Sequence, residues 1–431
     1  MSAQRFGIFY GWWVALTAAL GLFLNTATIV VFPFGIFAKA IGAEFHSGRA
    51  SISFAFALHN LSAAGCVPLA GRLVDRYGPR KVLLPYTVIL GLVLVSSEVL
   101  SRSIWELYAF YLALGMVSGG AGAMSYAKVI SEWYDRRRGL ALSVTMLGMG
   151  LGAIVMPYVA QQLVARFGWR LAYSLFGFAI LLIPLPVVAV FLKERPEDLG
   201  LLLDGAADAR DLAPAATVEE GLTAQAALRT SSFWIMTGAL FLVTASVHAC
   251  FIHLPAIFID RGSSAQTAAL ASSLLGIGLF MGRVGCGYLL DQFFAPRVAA
   301  TLFASVALGV ALLATGHALW TGFLAALLAG LGIGAEVDII AYLTSRYFGL
   351  LSFGQIFGWI WAAFGVAGGL GAYLMGLGFD KTGSYAVPLA GFFCASVAAT
   401  LLMMRLGPYR YSPTLAEDNG FPLQVPAEEQ V

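Results

Sequence analysis

Twelve runs of about twenty apolar residues follow one another along this chain, and run length decides what each can become. A helix needs about 20 such residues to cross a bilayer, because backbone groups left unpaired in hydrocarbon cost several kcal/mol each. The runs lie near residues 11–39, 48–74, 82–101, 104–131, 139–165 and 169–192, then 231–259, 266–290, 297–316, 318–345, 353–378 and 384–406. They are numbered spans 1 to 12. The composition agrees: the 431 residues are 59% hydrophobic and 11% charged, with a mean hydropathy of +0.83, whereas a soluble domain carries about 25% charged residues. An all-α polytopic membrane protein is expected. Span 1 is too long for a signal-peptide core and has no clean cleavage site, so it should be retained.

Polar punctuation sets the organisation. Segments KERPEDLG, DGAADARD and VEEG mark residues 193–230 as a solvent-exposed linker between an N-terminal unit, 1–192, and a C-terminal unit, 231–406. From Gly407 onward, Pro408, Pro413, Pro422 and Pro426 with Glu428 and Glu429 give residues 407–431 the composition of a disordered tail. Loops holding Arg72, Arg76, Arg80 and Lys81, then Arg136, Arg137 and Arg138, then Lys193, Arg195 and Arg229, then Arg297, Arg346, Arg405 and Arg410 are the basic set. The alternate loops hold mainly Arg49, Arg102, Arg166, Arg170, Arg261 and Lys381. Basic loops stay on the cytoplasmic side, so both termini should be cytoplasmic, in the inner (plasma) membrane of the cell.

Several classes of function are disfavoured. A net charge of +2, from 25 Lys+Arg against 23 Asp+Glu, gives no electrostatic reason for a nucleic-acid partner. Cys66, Cys250, Cys286 and Cys394 lie in apolar runs without CxxC spacing, so neither a disulfide framework nor a metal site is expected. The glycines of span 5 (Gly148, Gly150, Gly152) and span 11 (Gly365, Gly368, Gly369, Gly371) lack the Lys-Ser/Thr of a phosphate loop and suit helix packing instead. No HExxH pair or GxSxG turn marks an enzyme. No cofactor is expected, and energy should come from an ion or substrate gradient.

The chain repeats itself. Gly71-Arg72-Leu73-Val74-Asp75 closes span 2 and Gly287-Tyr288-Leu289-Leu290-Asp291 closes span 8, 216 residues apart (71 to 287). Gly139 before span 5 matches Gly354 before span 11, 215 apart, and Gly122-Ala123 matches Gly334-Ala335, 212 apart. Twelve transmembrane helices in two pseudo-symmetric six-helix bundles are therefore expected. In such a layout a substrate site lies near the bilayer midplane between the halves and opens to each side in turn.

The segment from Gly71 to Lys81, with Asp75, Arg76, Gly78, Pro79 and Arg80 inside it, resembles the signature loop of the major facilitator superfamily. That resemblance implies a conformational latch: Gly71 permits close approach and Asp75 can pair with arginines across the half, with Asp291, its repeat partner, also assigned to the latch. Tyr10-Gly11-Trp12-Trp13, the segment Trp133 to Ala141, and Gly282-Arg283-Val284-Gly285-Cys286-Gly287 resemble the bacterial monocarboxylate transporter and oxalate/formate antiporter group. In that group an arginine of the eighth helix grips the substrate carboxylate, a role that falls on Arg283. A tyrosine in the fourth helix contacts substrate in relatives, which points to Tyr126. Three departures stand out: Phe364 takes the place of an eleventh-helix lysine, Phe32 lies where animal carriers have a first-helix lysine, and Leu279 replaces the acid one turn before the arginine. A single cation suits one carboxylate better than two.

Depth singles out the same arginine independently. Arg283 lies eight residues before Asp291, about 12 Å into a core roughly 30 Å thick. A cation there needs a partner or an aqueous cavity, and its planar fork fits a carboxylate; the alternative is a structural ion pair with a neighbouring helix. In span 10, Glu336 and Asp338 lie about 15 and 12 Å above Arg346 and must be paired, protonated or wet. Two residues apart, they point to nearly opposite sides of the helix. Either one could couple a proton, or one could simply neutralise Arg283 or Lys128. Lys128 could instead snorkel or pair with Glu132. Asn25, His59 and His248 are further polar groups at depth; Asn25 and His59 join Arg283 and Tyr126 as substrate-binding candidates.

The expectation is thus a monomeric secondary transporter of a small organic anion: a proton-coupled monocarboxylate symporter with a small carboxylate, protons and the bilayer as its partners. Anion exchange is the alternative within transport. A membrane sensor would need an output domain, and neither linker nor tail offers one.

Overall fold

The computed structural model describes residues 9–45, 49–101, 103–205, 221–316 and 318–411. Arg102, the linker interior at 206–220 and the tail from 412 onward lie outside the described residues.

Every expected span is helical, and local chemistry sets several of the helix ends. Span 2 is Arg49–Tyr77 and span 3 begins at Pro79. Between them Gly78 has φ +91°, a conformation that side chains with a Cβ rarely adopt. Span 7 (Ser231–Asp260) and span 8 (Ala265–Gln292) start on capping hydroxyls: Thr230 Oγ1 accepts from Phe233 N at 3.3 Å and Ser264 Oγ from Thr267 N at 3.2 Å. Span 9 is Ala295–Thr315, span 10 Leu319–Phe348, span 11 Phe353–Thr382 and span 12 Ala386–Met404.

Spans 1 and 4, and span 6 at Ile183, are interrupted where continuous helix is expected, while Gly168 marks the expected boundary of spans 5 and 6. Span 1 is Tyr10–Phe23 and Phe34–Phe45 around a π turn, Ala27–Val31. Asn25 and Thr28 bond reciprocally there: Thr28 N donates to Asn25 Oδ1 at 3.0 Å and Asn25 N to Thr28 Oγ1 at 3.1 Å. Span 4 is Ile104–Ser118 and Ala123–Trp133. Spans 5 and 6 form one stretch, Arg138–Leu182, broken by Gly168 at φ +80° and continued by Pro184–Phe191. By length and apolarity the described residues hold 11 membrane-crossing helices, and Gly168 divides the longest, Arg138–Phe191, into two. The fold is the expected twelve-helix, all-α membrane fold.

The helices fall into two compact units, Met1–Gly221 with Leu350–Ala362, and Leu222–Gly349 with Ala363–Val431. In the first, Phe37 stacks on Tyr173 at 3.8 Å between ring centres, and the Tyr111 and Tyr173 hydroxyls meet at 3.0 Å. Glu44 receives Trp169 Nε1 at 2.6 Å and pairs with Arg170, tying span 1 to span 6.

In the second unit the disorder expected from Gly407 fails for residues 407–411. Tyr409 is fully buried against Phe294 and Tyr347, and its hydroxyl accepts from Ala295 N at 2.7 Å. The backbone N–H groups of Arg410 and Tyr411 donate to Arg346 O at 3.3 and 3.1 Å, and Leu222 N donates to Phe348 O at 2.8 Å. Two returning segments thus satisfy carbonyls left open at the end of span 10. Proline content overrode this in the sequence because one buried tyrosine carries the docking. Burial, with Tyr342 beside it, also holds the Tyr409 phenol above its usual range.

Candidate functional site

Spans 8 and 10 meet backbone to backbone because glycines line both. A Cβ added at Gly278 or Gly282 would overlap the carbonyl oxygens of Leu327 and Leu331, and one added at Gly330 or Gly334 would overlap those of Leu275 and Leu279. Such small-residue seams let helices approach closely in a bilayer. Along this register the turn after Gly334 brings Asp338 beside Arg283 and Cys286, and these three groups interact electrostatically. Arg283 is 4% exposed and its Nε donates to Gly334 O at 3.3 Å. The guanidinium therefore has a carboxylate from span 10 within electrostatic reach, although the acid a turn before it in span 8 is replaced by Leu279.

Glu336 points the other way, as the two-residue spacing predicted. It is fully buried, and its Oε1 accepts from Thr244 Oγ1 of span 7 at 3.0 Å. Its Oε2 is buried without a hydrogen-bond partner among the described residues. One turn along span 7, His248 Nδ1 lies 3.1 Å from Thr244 O and its ring meets Phe364 edge-on at 5.6 Å. Sequence reasoning missed Thr244, an ordinary threonine in an apolar run; only the cross-span contact marks it.

The remaining binding candidates belong to the first unit. Tyr126 is 2% exposed, with its hydroxyl over Gly21, where a Cβ would overlap it. Asn25 Oδ1 is committed to the span 1 break. His59 is 3% exposed, bonded to the Tyr111 backbone, with Nδ1 buried and unpartnered. Helix ends also correct the repeat: spans 4 and 10 end at Trp133 and Phe348, 215 residues apart, and the glycine pairs 115/119 and 330/334 keep that offset. Tyr126 then matches Ala341, not Asp338 as the 212-residue offset implied.

The signature segment makes a different contact from the one expected. Asp75 pairs with Lys128 of span 4 at 2.7 Å, not with an arginine, and accepts from Gly354 N and Gln355 N at 2.8 Å each. It thus sits on the N-terminus of span 11, where free N–H groups favour an anion. Gly71 earns its place here: a Cβ would overlap the Gly354 carbonyl. Arg76 lies over the Tyr77 ring at 5.3 Å, while Arg80 donates from its guanidinium to Ala189 O and from its backbone N to Glu194 Oε1 at 2.9 Å. Asp291 is buried in the last turn of span 8. Asp75, Lys128, Glu132, Glu194 and Arg195 line a polar cavity of about 240 Å³, with Glu132 Oε2 at 4.0 Å from Arg195 Nε rather than on Lys128. Among the described residues no cluster of His, Cys, Asp and Glu could hold a metal ion.

Twelve membrane-spanning helices in two units, with ionisable groups held inside them, define a polytopic transporter-type membrane protein. The chain belongs to the Major Facilitator Superfamily, a family of membrane transporters whose family model matches residues 15–372. It is 29% identical to human Monocarboxylate transporter 11 over 330 residues, covering 74% of this chain and 66% of that one. With Monocarboxylate transporter 13 of Bos taurus it shares 26% identity over 408 residues, 92% of this chain and 89% of the relative. Among solved structures, the proton:xylose symporter XylE bound to 6-bromo-6-deoxy-D-glucose superposes with a TM-score of 0.71 at 16% identity, covering 95% of this chain and 98% of that one.

Proposed function

We propose that the protein is a proton-coupled symporter of a small monocarboxylate, working by alternating access, with Arg283 gripping the carboxylate. The observation that supports this reading is a guanidinium 4% exposed inside span 8, on the glycine seam with span 10 and within electrostatic reach of Asp338. An incoming carboxylate offers Arg283 the same chemistry as Asp338, with two parallel hydrogen bonds. For it to displace Asp338 without leaving a second bare charge in hydrocarbon, a proton must arrive too. Glu336 or Asp338 takes that proton. The monocarboxylate transporter names of two relatives support the substrate class. Tyr126, Asn25 and His59 are proposed as neutral contacts, and Asp75 with Gly71, Arg76, Gly78, Arg80 and Asp291 as the latch. Both termini are proposed to be cytoplasmic, in the plasma membrane, and the carrier monomeric.

The test is uptake by proteoliposomes of a panel of radiolabelled acids, from pyruvate and lactate to longer and aromatic monocarboxylates. An inward proton gradient should drive accumulation of at least one acid and acidify the lumen, and Arg283→Ala should abolish it. Uptake that leaves internal pH unchanged at every imposed gradient would make the protein an exchanger instead.

A further inference from the structure

We propose that Thr244 is the positioning residue of the proton site at Glu336: a hydroxyl from span 7, rather than any cation, sets how tightly that carboxyl holds its proton. This rests on the reading of Glu336 as a proton carrier.

The first observation is where the hydroxyl points. Several buried Ser and Thr side chains in these helices satisfy themselves on their own helix, as Thr87 does on Leu83 O, Thr344 on Ile340 O and Ser396 on Phe392 O, and where a hydroxyl reaches a neighbouring helix, as Ser246 does to Phe392 O at 3.1 Å and Thr145 to Ala15 O at 3.5 Å, it meets a backbone carbonyl. That back-bonding is the usual habit of a threonine in a helix. Thr244 instead donates across to span 10, 3.0 Å to Glu336 Oε1, with both residues fully buried. A hydroxyl has one proton to give, so this choice leaves its own helix for the acid.

The second observation is what surrounds the carboxyl. Spans 7, 8 and 9 pack on span 10. Span 8 contributes Arg283 and Cys286, and both act on Asp338. Span 9 carries only Arg297, in its first turn. Span 7 carries His248, Cys250, His253 and Asp260; His253 is turned to Ala372 O, Asp260 is its last residue, and His248 is turned to the Thr244 carbonyl, so its Nδ1 holds the hydrogen of that bond. On span 10 itself stand Asp338, Tyr342, Arg346 and Tyr347, with Arg346 ten residues on from Glu336 and its guanidinium over the Tyr342 ring at 5.0 Å. Among the described residues no cation pairs with Glu336, and its Oε2 has no hydrogen-bond partner. Among the described residues the Thr244 hydroxyl is therefore the hydrogen-bond donor that favours the ionised carboxylate. His248 fixes the turn from which the hydroxyl is offered.

Removing that donor should make the acid keep its proton to higher pH. The loss of a hydrogen bond to a charged group corresponds to a shift of about one to two pH units. The experiment is an infrared titration of the full-length protein in proteoliposomes. The protonated-carboxyl band of Glu336 is assigned by its loss in Glu336→Gln, and its midpoint is compared in wild type, Thr244→Val and Thr244→Ser. Valine keeps the shape and loses the donor; serine keeps the donor and loses a methyl. The expected result is a midpoint raised by about one to two units in the valine variant and close to wild type in the serine variant. Equal midpoints in all three, equal shifts in both variants, or no band lost in Glu336→Gln would each overturn the assignment. Uptake of radiolabelled pyruvate in the same vesicles separates the two readings. Midpoints that move as expected while uptake ignores the proton gradient would remove the symport and leave the Thr244 assignment. Gradient-driven uptake with unmoved midpoints would do the reverse.

Discussion

Arg283 and Asp338 act on each other electrostatically inside spans 8 and 10, where a lone charge is costly, so their energetic roles separate under mutation. Removing one partner of a buried ion pair costs about 3–5 kcal/mol, because the other charge is stranded. Arg283→Ala should therefore lower the melting temperature markedly, and adding Asp338→Asn should restore most of it. Stabilisation by a bound carboxylate should not return in the double variant, since the fork that holds it is gone. Thermal shifts of wild type, both single variants and the double, each with and without the acid identified by uptake, check this. A double variant that regains the ligand shift would make the pair purely structural. Arg283→Lys keeps the charge but not the planar fork, and is expected to weaken binding by about tenfold or more. At this scale, depth along the helices was legible: one arginine and two acids stood out because charges in hydrocarbon are costly. Partners were not legible. Asp75 finds Lys128 and the first N–H groups of span 11 rather than an arginine, because proximity across 279 residues of sequence is a property of packing.

Helix packing against helix is where the glycines divide into two kinds that the sequence does not distinguish. Gly282 and Gly334 lie in the seam of spans 8 and 10, where an added Cβ meets a carbonyl oxygen; Gly276 and Gly285, in the same span 8, have nothing within 4 Å of one. Gly334→Ala should therefore force the two helices apart and cost about 1–3 kcal/mol, displacing Arg283 from Asp338 and weakening carboxylate uptake with it. Gly276→Ala and Gly285→Ala should be neutral or raise stability by up to about 1 kcal/mol through helix propensity. Melting temperatures of the three variants in detergent decide it; equal losses in all three would mean the seam is not what holds the site. The breaks in spans 1 and 4 escaped periodicity for a related reason. Apolar composition continues through them, while the Asn25–Thr28 bonds and Pro33 sit at the break in span 1 and Gly119, Gly120 and Gly122 at the break in span 4.

For the molecule as a whole, duplication and span count were legible because bilayer thickness imposes a length on every apolar run. The ends of the chain were harder, since a segment rich in proline and glutamate reads as solvent-loving even where one aromatic anchors it. Tyr409 fills a site between Phe294 and Tyr347, its hydroxyl receives Ala295 N, and the next two N–H groups cover the Arg346 carbonyl. Ending the chain after Leu406 removes a buried aromatic worth about 3–5 kcal/mol on truncation and strands buried backbone groups at about 1–3 kcal/mol each. Ending it after Tyr411 keeps all of these contacts. The longer truncation is thus expected to melt well below the full-length protein, and the shorter one with it. Tyr409→Phe, which loses only the bond to Ala295 N, should fall between them by about 1–2 kcal/mol. If the chain ending at Leu406 were as stable as the full-length protein, residues 407–411 would be a passive tail and span 10 would hold its end without them.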